Sequence, residues 1–181
     1  MNRDISSSFL IRVVKFFKLA GLILICTNAS AQTAMPGNYS VDEKSGCKVW
    51  NPNPKAAESI VWLGPCVSGL AHGLGKLQWL QNGQLYETDE GAWSAGRQIG
   101  NGSQIWPLGR YDGEISNSEP NGHGVLVLKG ARYDGEFRNG KPNGLGTVTS
   151  QRGVIKGTWK DGCLISGKQK VAVGVPLSTC L

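Results

Sequence analysis

Apolar and polar residues alternate with a period of two along much of this chain. In the stretch from Tyr133 to Phe137, two aromatic residues and a glycine fall on one side and two acidic residues fall on the other. This alternation predicts a β-strand with one buried face rather than a helix. A second alternating stretch at 144–149 follows Asn139-Gly140, a dipeptide typical of two-residue hairpin turns. The pattern therefore predicts β-hairpins.

The hairpin pattern occurs five times. The glycines of the first strands stand at positions 64, 91, 113, 135 and 157, so the last three steps are equal and the first step is longer. A fixed period of this length indicates a stacked repeat array. Glycine weakens an isolated strand. Its regular spacing relative to Tyr133 and Phe137 predicts that aromatic rings lie across the glycine backbone of a neighbouring strand.

The pattern Tyr-x-Gly-x-[Phe/Trp]-x-x-Gly-x-x-x-Gly-x-Gly-x-[Leu/Val] resembles the MORN repeat over about residues 62–162. The copies that begin at Tyr111 and Tyr133 match it closely. The second copy departs from it, with Asp89 in place of the tyrosine and Gln104 in place of the late apolar residue, and the fifth copy is truncated. The resemblance implies an all-β fold, an elongated antiparallel sheet of stacked MORN β-hairpins.

Short capping segments are expected at both ends of the array. Residues 46–66 resemble the start of exported bacterial MORN proteins, in which an introductory strand pair lies on the first hairpin. Residues 170–175 alternate weakly and predict one closing strand. Both segments would shield open sheet edges, which otherwise invite aggregation. The predicted division is a signal peptide at 1–31, an N-terminal extension with a capping strand at 32–61, the array at 62–162 and a C-terminal cap at 163–181.

The N-terminus has the composition of a secretory signal peptide. Four basic residues precede or border a short apolar stretch at 19–26, and the tripeptide that ends at Ala31 provides a small-x-small cleavage site before Gln32. A membrane anchor is the alternative, but spanning a bilayer takes roughly 20 apolar residues. Lipid attachment at Cys26 is disfavoured by the bulky residue before it. The sequence therefore predicts a periplasmic or secreted protein.

Removal of this segment changes the charge of the protein. The segment holds four of the 19 Lys and Arg residues and one of the 13 Asp and Glu residues, so its loss lowers the formal net charge from +6 to about +3. No arginine-rich run remains, which argues against nucleic-acid binding. The absence of a polybasic tract also argues against strong electrostatic binding to anionic lipid.

Four cysteines follow the predicted cleavage site: Cys47, Cys66, Cys163 and Cys180. An even number in an exported chain favours two disulfide bonds, for which three pairings exist. The local pairing, Cys47–Cys66 and Cys163–Cys180, is favoured because it staples the two ends of the array. A metal site is the alternative, but the chain has only two histidines and no Cys-x-x-Cys pair, so no metal is expected.

Candidate catalytic residues are few. His72 and His123 occupy free positions beside the paired glycines and are expected to be surface residues. The acidic residues at 87–90 are interpreted as a solvated linker in the longer first step, with a metal or general-acid role as the alternative. A near match to a phosphate-binding loop at 162–169 lacks the hydroxyl residue that such a loop needs after its lysine. The sequence predicts no catalytic residue and no cofactor.

The surface of the sheet is what remains for function. The aromatic face either lies exposed in a groove, as binding sites do, or packs against the repeat's own glycines, and the pattern leaves both open. The prediction is a non-enzymatic exported binding or scaffold module that presents a MORN sheet to a protein or cell-envelope partner. The alternatives are association with membrane lipid, which the family's name implies, and a hydrolase-like enzyme that uses the groove. The possible binding-face aromatics are Trp79, Trp93, Trp106, Tyr111, Tyr133 and Phe137.

Overall fold

The computed structural model describes residues 38–166 and 169–180, so the predicted signal peptide and its cleavage site at Ala31 and Gln32 lie outside the described residues. Fifteen strands and one 3-10 helix, Leu177–Thr179, are present in these ranges. The strands are β1 (Asn38–Val41), β2 (Lys48–Asn51), β3 (Glu58–Leu63), β4 (Cys66–Val67), β5 (Leu70–Ala71), β6 (Gly73–Gln81), β7 (Gln84–Ser94), β8 (Arg97–Trp106), β9 (Gly109–Ser116), β10 (Glu119–Leu128), β11 (Ala131–Arg138), β12 (Lys141–Ser150), β13 (Gly153–Trp159), β14 (Cys163–Ser166) and β15 (Gln169–Ala172).

Nine strands form one antiparallel sheet in the order β3-β6-β7-β8-β9-β10-β11-β12-β13. From β6 to β13 consecutive strands are neighbours, and β3 pairs with β6 at one edge. The sheet is therefore largely a row of hairpins, which confirms the predicted fold class. Tight turns with positive φ at both central residues reverse the chain, as the Asn-Gly signal predicts. These central residues are Ser68-Gly69, Asn82-Gly83, Ala95-Gly96, Asn117-Ser118, Asn139-Gly140 and Asp161-Gly162.

A row of paired glycines crosses eight strands on the face that bears Tyr111 and Tyr133, here called the inner face. A Cβ added to Gly124 would lie 2.5 Å from Cζ of Tyr111, and one added to Gly146 would lie 2.5 Å from Cζ of Tyr133. The rings therefore lie across glycine backbone, which confirms the predicted reason for the glycines. The row consists of Gly75, Gly91, Gly102, Gly113, Gly124, Gly135, Gly146 and Gly157.

Hydrogen bonds between consecutive hairpin turns also join the repeats. In each case the second residue of a turn donates its backbone N–H to a carbonyl just after the preceding turn. Because the same bond recurs with each repeat, every hairpin is held to the preceding hairpin by the same backbone contact. The donor and acceptor pairs are Gly96 and Ala71 (2.9 Å), Ser118 and Gln98 (3.0 Å), Gly140 and Pro120 (3.0 Å), and Gly162 and Pro142 (2.8 Å).

The N-terminal segment forms a four-stranded sheet in the order β1-β2-β5-β4. Strand β2, within the stretch 46–66 that predicts an introductory strand pair, pairs with β1 upstream of that stretch and joins the first hairpin through the parallel pairing of Lys48 with Leu70. The apolar residues of the N-terminal segment pack on the inner face in one core cluster with Trp62 and Trp93. The Cys47–Cys66 disulfide holds this segment to the array, with a Cα–Cα distance of 5.9 Å.

The C-terminal segment does not add the closing strand predicted at 170–175. Strand β15 pairs with β14 in a separate two-stranded sheet and not with β13. Leu164 instead lies over Gly157 of the glycine row and packs in the same core cluster as Trp159 on the inner face. The Cys163–Cys180 disulfide closes this segment, with a Cα–Cα distance of 5.5 Å. Both predicted disulfides are therefore confirmed.

The nine-stranded sheet begins at residue 58, four residues before the predicted start of the array at residue 62. Residues 58–61, predicted to be part of the N-terminal extension, belong to β3 at the edge of the nine-stranded sheet. In the part of the chain that the structure describes, no helix has the length and apolar character needed to cross a membrane.

Candidate functional site

The inner face is largely occupied by the protein's own core. Of the six aromatic residues predicted as possible binding residues, Tyr111, Tyr133 and Phe137 are buried and pack edge to face against one another. Trp106 is partly buried against the same cluster. These four residues therefore serve the fold. Trp79 and Trp93 are also buried, but they line a pocket.

The pocket lies where the second repeat departs from the pattern. Asp89 on β7 faces Gln104 on β8, in the inner-face row where the next repeat places Tyr111 opposite Leu126. Because Asp89 has no ring to cover the glycine row, the side chain of Gln98 lies there instead, with its Nε2 only 2.7 Å from where a Cβ on Gly102 would be. The amide fills less volume than a tyrosine ring and leaves space beside it.

Five extra residues between the first and second repeats build the rest of the pocket. The longer step is accommodated by extending the hairpin of β6 and β7 beyond the other hairpins, with a register shift between Trp79 and Leu80. The lengthened strands place Trp79, Tyr86 and Glu87 on the pocket wall. The segment after β2, including Asn51, provides the opposite wall. The cavity volume is about 230 Å³.

Asp89 is the most deeply buried acid of the pocket, with 5% of its surface exposed. Trp79 Nε1 donates a hydrogen bond of 2.9 Å to its Oδ2. Burial raises the pKa of the Asp89 carboxyl well above its usual range, and the neighbouring Glu87 carboxylate raises it further. The prediction that residues 87–90 form a solvated linker is therefore wrong for Asp89, because the lengthened hairpin folds it onto the inner face.

Glu87 and Asp89 influence each other's ionisation. Burial raises the pKa of the Glu87 carboxyl, while the Lys55 ammonium opposes that shift. Asp89 is the more deeply buried of the two and its pKa is raised further, so it is the more easily protonated group. The two carboxyl groups therefore titrate as a pair, with the larger rise in the pKa of Asp89.

Glu58 ties the two walls of the pocket together. Its carboxylate accepts hydrogen bonds from Asn51 Nδ2 and from the Tyr86 hydroxyl. The Lys55 ammonium lies 4.2 Å from the centre of the Tyr86 ring. Burial and the Glu58 carboxylate together raise the pKa of Tyr86 far above its ordinary value, so its hydroxyl remains a donor. The walls are thus held in place by the chain itself.

Two buried polar atoms in this pocket lack a partner. Within residues 38–166 and 169–180, Asp89 Oδ1 and Trp93 Nε1 make no hydrogen bond. Trp93 is only 2% exposed. A buried polar group without a partner costs about 1–3 kcal/mol, and such a group calls for an explanation such as a functional role. Both residues line the same pocket.

The remaining candidates are surface residues. His72 and His123 are exposed, as predicted, and His123 Nε2 lies 3.3 Å from Asp134 Oδ1. On the outer face, ion pairs at the surface join Lys76 with Glu90 and Arg132 with Asp134. Among the described residues, no group of three or more His, Cys, Asp or Glu side chains is arranged to hold a metal ion.

Sequence reasoning found part of this site. It identified Asp89 and Gln104 as departures from the repeat and Trp79 and Trp93 as possible binding residues. It missed Gln98 and the walls formed by Glu58 and Tyr86. The usable signal is that both departures fall in the repeat that directly follows the one step that is five residues too long.

Comparison with known families agrees with the geometry. A family model described as MORN repeat matches residues 67–83, 111–129 and 133–154. The matched stretches leave out residues 84–110, which contain Asp89, Gln98 and Gln104. No curated protein matches the chain significantly.

Proposed function

Because the chain belongs to the MORN repeat family, we propose that it is an exported, non-enzymatic binding module that holds a component of the cell envelope in the pocket of its second repeat. The rest of the sheet serves as the rigid scaffold for this pocket. The partner is either an envelope protein or another envelope component.

One observation carries the proposal. Asp89 Oδ1 and Trp93 Nε1 are buried polar atoms without partners in a single pocket, in a fold that fills the equivalent positions with aromatic and aliphatic packing. Preformed pockets with a few polar groups among aromatic walls are typical of ligand sites. A ligand that forms hydrogen bonds with these two atoms would explain why the second repeat has polar residues at positions 89 and 104.

Export is supported by the disulfide bonds. Cys47–Cys66 and Cys163–Cys180 indicate folding in an oxidising environment. The N-terminal composition supports a cleaved signal peptide, and N-terminal sequencing of the exported protein should begin at Gln32. A first residue upstream of Gln32 would contradict the cleavage site.

The placement of the acids supports binding rather than hydrolysis. Glycosidases need two carboxyl groups that flank the substrate bond. Glu87 and Asp89 stand two positions apart on the same strand, so they approach a ligand from one side. Glu58, on β3 of the same sheet, already accepts hydrogen bonds from Asn51 and Tyr86. A ligand is therefore expected to leave the pocket unchanged.

A filled-pocket variant tests the proposal. Asp89→Tyr, Gln98→Pro and Gln104→Leu together install the residues that the next repeat has at the equivalent positions, namely Tyr111, Pro120 and Leu126. The purified wild-type protein and this variant are mixed with isolated bacterial cell-envelope material and sedimented. We expect the wild type to sediment with the material and the folded variant to remain in solution.

Equal sedimentation of the two proteins would contradict a role for the pocket. Protease treatment of the envelope material distinguishes the classes of partner. If the partner is a protein, the treatment abolishes sedimentation; if it is a glycan or lipid, sedimentation persists. Flotation with protein-free anionic and neutral liposomes tests the membrane alternative. Flotation of both the wild type and the filled-pocket variant would favour lipid association over pocket binding.

A further inference from the structure

We propose that the pocket of the second repeat binds a single neutral or amino sugar ring. This inference rests on the proposed function and names the chemistry of the ligand at the same site. It follows from the two unpartnered atoms, the charge of the pocket and its aromatic walls.

The unpartnered atoms define the group that the ligand must present. Trp93 Nε1–H is a donor and needs an acceptor, whereas Asp89 Oδ1 is a carboxyl oxygen. Hydroxyl groups both accept and donate, so the hydroxyls of one ligand can serve Trp93 Nε1 and Asp89 Oδ1. An ammonium group can only donate and leaves Trp93 unsatisfied. The pocket therefore fits a polyhydroxyl ligand.

The charge of the pocket excludes acidic ligands. Glu58, Glu87 and Asp89 line it together with the cation Lys55. Lys55 is already placed over the Tyr86 ring. A carboxylate or phosphate on the ligand would lie near Glu58 and Glu87 and would be repelled. A neutral sugar meets no such repulsion, and the ammonium of an amino sugar is attracted.

The walls and the volume fit one ring. Trp50, Trp79 and Tyr86 line the cavity, and the C–H faces of a sugar ring can pack against such aromatic surface while its hydroxyls reach polar groups. Arg97 lies over the Trp50 ring, 4.2 Å from its centre, and holds that wall in place. The cavity of about 230 Å³ holds far more than one water, whose share of liquid volume is about 30 Å³. This volume lies just below the range of about 300–1,000 Å³ for pockets that enclose drug-sized ligands, so we assign the pocket a single ring.

The polar groups are planar and fixed before the ligand arrives. Trp79 fixes Asp89, and Gln104 is fixed by its hydrogen bonds to Gln98 Oε1 and to the Ser118 carbonyl, both 3.1 Å. Carboxyl and carboxamide groups can contact two adjacent hydroxyls at once. A preorganised site loses little side-chain entropy when a sugar binds.

Direct titration tests the assignment. The purified protein with both disulfides is titrated with glucose, galactose, N-acetylglucosamine, glucosamine and glucuronic acid, and the heat of binding is recorded. We expect at least one neutral or amino sugar to bind with a Kd of about 1 mM or tighter. Glucuronic acid should bind at least about tenfold more weakly than the best of them.

Two tryptophan variants separate a ligand contact from a structural role. Trp93→Phe removes the indole N–H and keeps an aromatic ring, and we expect it to weaken sugar binding by about tenfold, the effect of one lost hydrogen bond of roughly average to high strength. Trp106→Phe is the matched control outside the pocket. It should bind sugar as the wild type does.

Three results would overturn the sugar assignment: no heat from any neutral or amino sugar at about 100 mM, equal binding of glucuronic acid, or unchanged binding by Trp93→Phe. If envelope sedimentation still depends on the pocket in these cases, the proposed function stands and only the ligand class is wrong. If a sugar binds the wild type and the filled-pocket variant equally, the pocket itself is the wrong site.

Discussion

Asp89 lies directly opposite Gln104 across strands β7 and β8, in the inner-face row where the later repeats pair Tyr111 with Leu126 and Tyr133 with Val148. The edge-to-face aromatic packing is interrupted at this point. On the N-terminal side of the interruption, Trp62 packs against Trp93. On the C-terminal side, a continuous series of rings runs from Tyr111 to Trp159. The two polar residues therefore separate two hydrophobic clusters, and both residues line the pocket.

The first prediction concerns the pH dependence of stability. The pKa of Asp89 is raised in the folded protein, so above about pH 3.9 the folded state binds a proton that the unfolded state has released. The free energy of unfolding therefore falls as pH rises toward the folded-state pKa, by at most about 1.4 kcal/mol per pH unit. Asp89→Asn keeps the acceptor for Trp79 and should flatten this decline.

Urea unfolding at a series of pH values between 4 and 9 measures the effect. Asp89→Asn should be more stable than the wild type at alkaline pH and differ least from it near pH 4. Glu119→Gln, at an exposed acid of a later repeat, serves as the control and should preserve the wild-type slope. A wild-type slope retained in Asp89→Asn would show that another group is responsible.

The second prediction concerns the glycine row. Gly146→Ala places a methyl group against the Tyr133 ring, 2.5 Å from its Cζ. The backbone cannot move away because it is paired on both sides. We expect a loss of about 1–3 kcal/mol in the free energy of unfolding, measured by urea denaturation.

Gly83→Asn is the control for the glycine row. Gly83 has φ of +75° and open space around it, and asparagine tolerates this conformation. The control should lose less than about 1 kcal/mol. Equal losses in the two variants would contradict the steric role of Gly146.

The third prediction concerns modularity. Deletion of residues 111–132 removes one full period and brings Tyr133 to the position of Tyr111, opposite Gln104. The inner-face row and the glycine row keep their register, because both repeat with this period. We expect a shorter sheet that still unfolds cooperatively, as measured by circular dichroism during heating.

A deletion of positions 111–121 is the matched control because it removes only half a period and so breaks the repeat. It should fail to give a cooperatively folded protein. Collapse of the full-period deletion to an unfolded or aggregated chain would instead show that the array is not modular.

The fourth prediction concerns the C-terminal staple. Replacing Cys163 and Cys180 together by serine removes a bond that closes a loop with a sequence separation of 17. The free energy of unfolding should fall by about 3 kcal/mol, as measured in guanidinium chloride without reductant. The difference from the wild type should shrink when reductant is present, and an undiminished difference would mean that lost packing of buried Cys180, rather than the bond, is responsible.

Much of the fold follows from local chemistry that can be read along the sequence. The period-two alternation predicts strands, and Asn-Gly dipeptides predict hairpin turns. The spacing of Tyr133 and Gly146 predicts that the tyrosine ring lies across the glycine backbone. The position of the C-terminal segment could not be derived in this way. Whether β15 extends the sheet or folds back on β14 depends on the space that Gly157 leaves for Leu164, which is a tertiary contact.

The site was predictable only in part for the same reason. A repeat pattern states which side chains the fold needs, so Asp89 and Gln104 were visible as exceptions. Their burial was not visible, because an acidic stretch in a long period is more often a solvated linker. Burial arises from the longer hairpin of β6 and β7 and from the end of β2 and the segment after it, where Asn51 donates a hydrogen bond to Glu58 of β3.

The most direct test of the central claim is the stability gained from a sugar. A ligand at about 100 times its Kd should raise the free energy of unfolding of the wild type by about 2.7 kcal/mol. The filled-pocket variant should show only the small general stabilisation that sugars give to any protein. An equal gain in the wild type and the variant would contradict the claim that the pocket of the second repeat is a sugar-binding site.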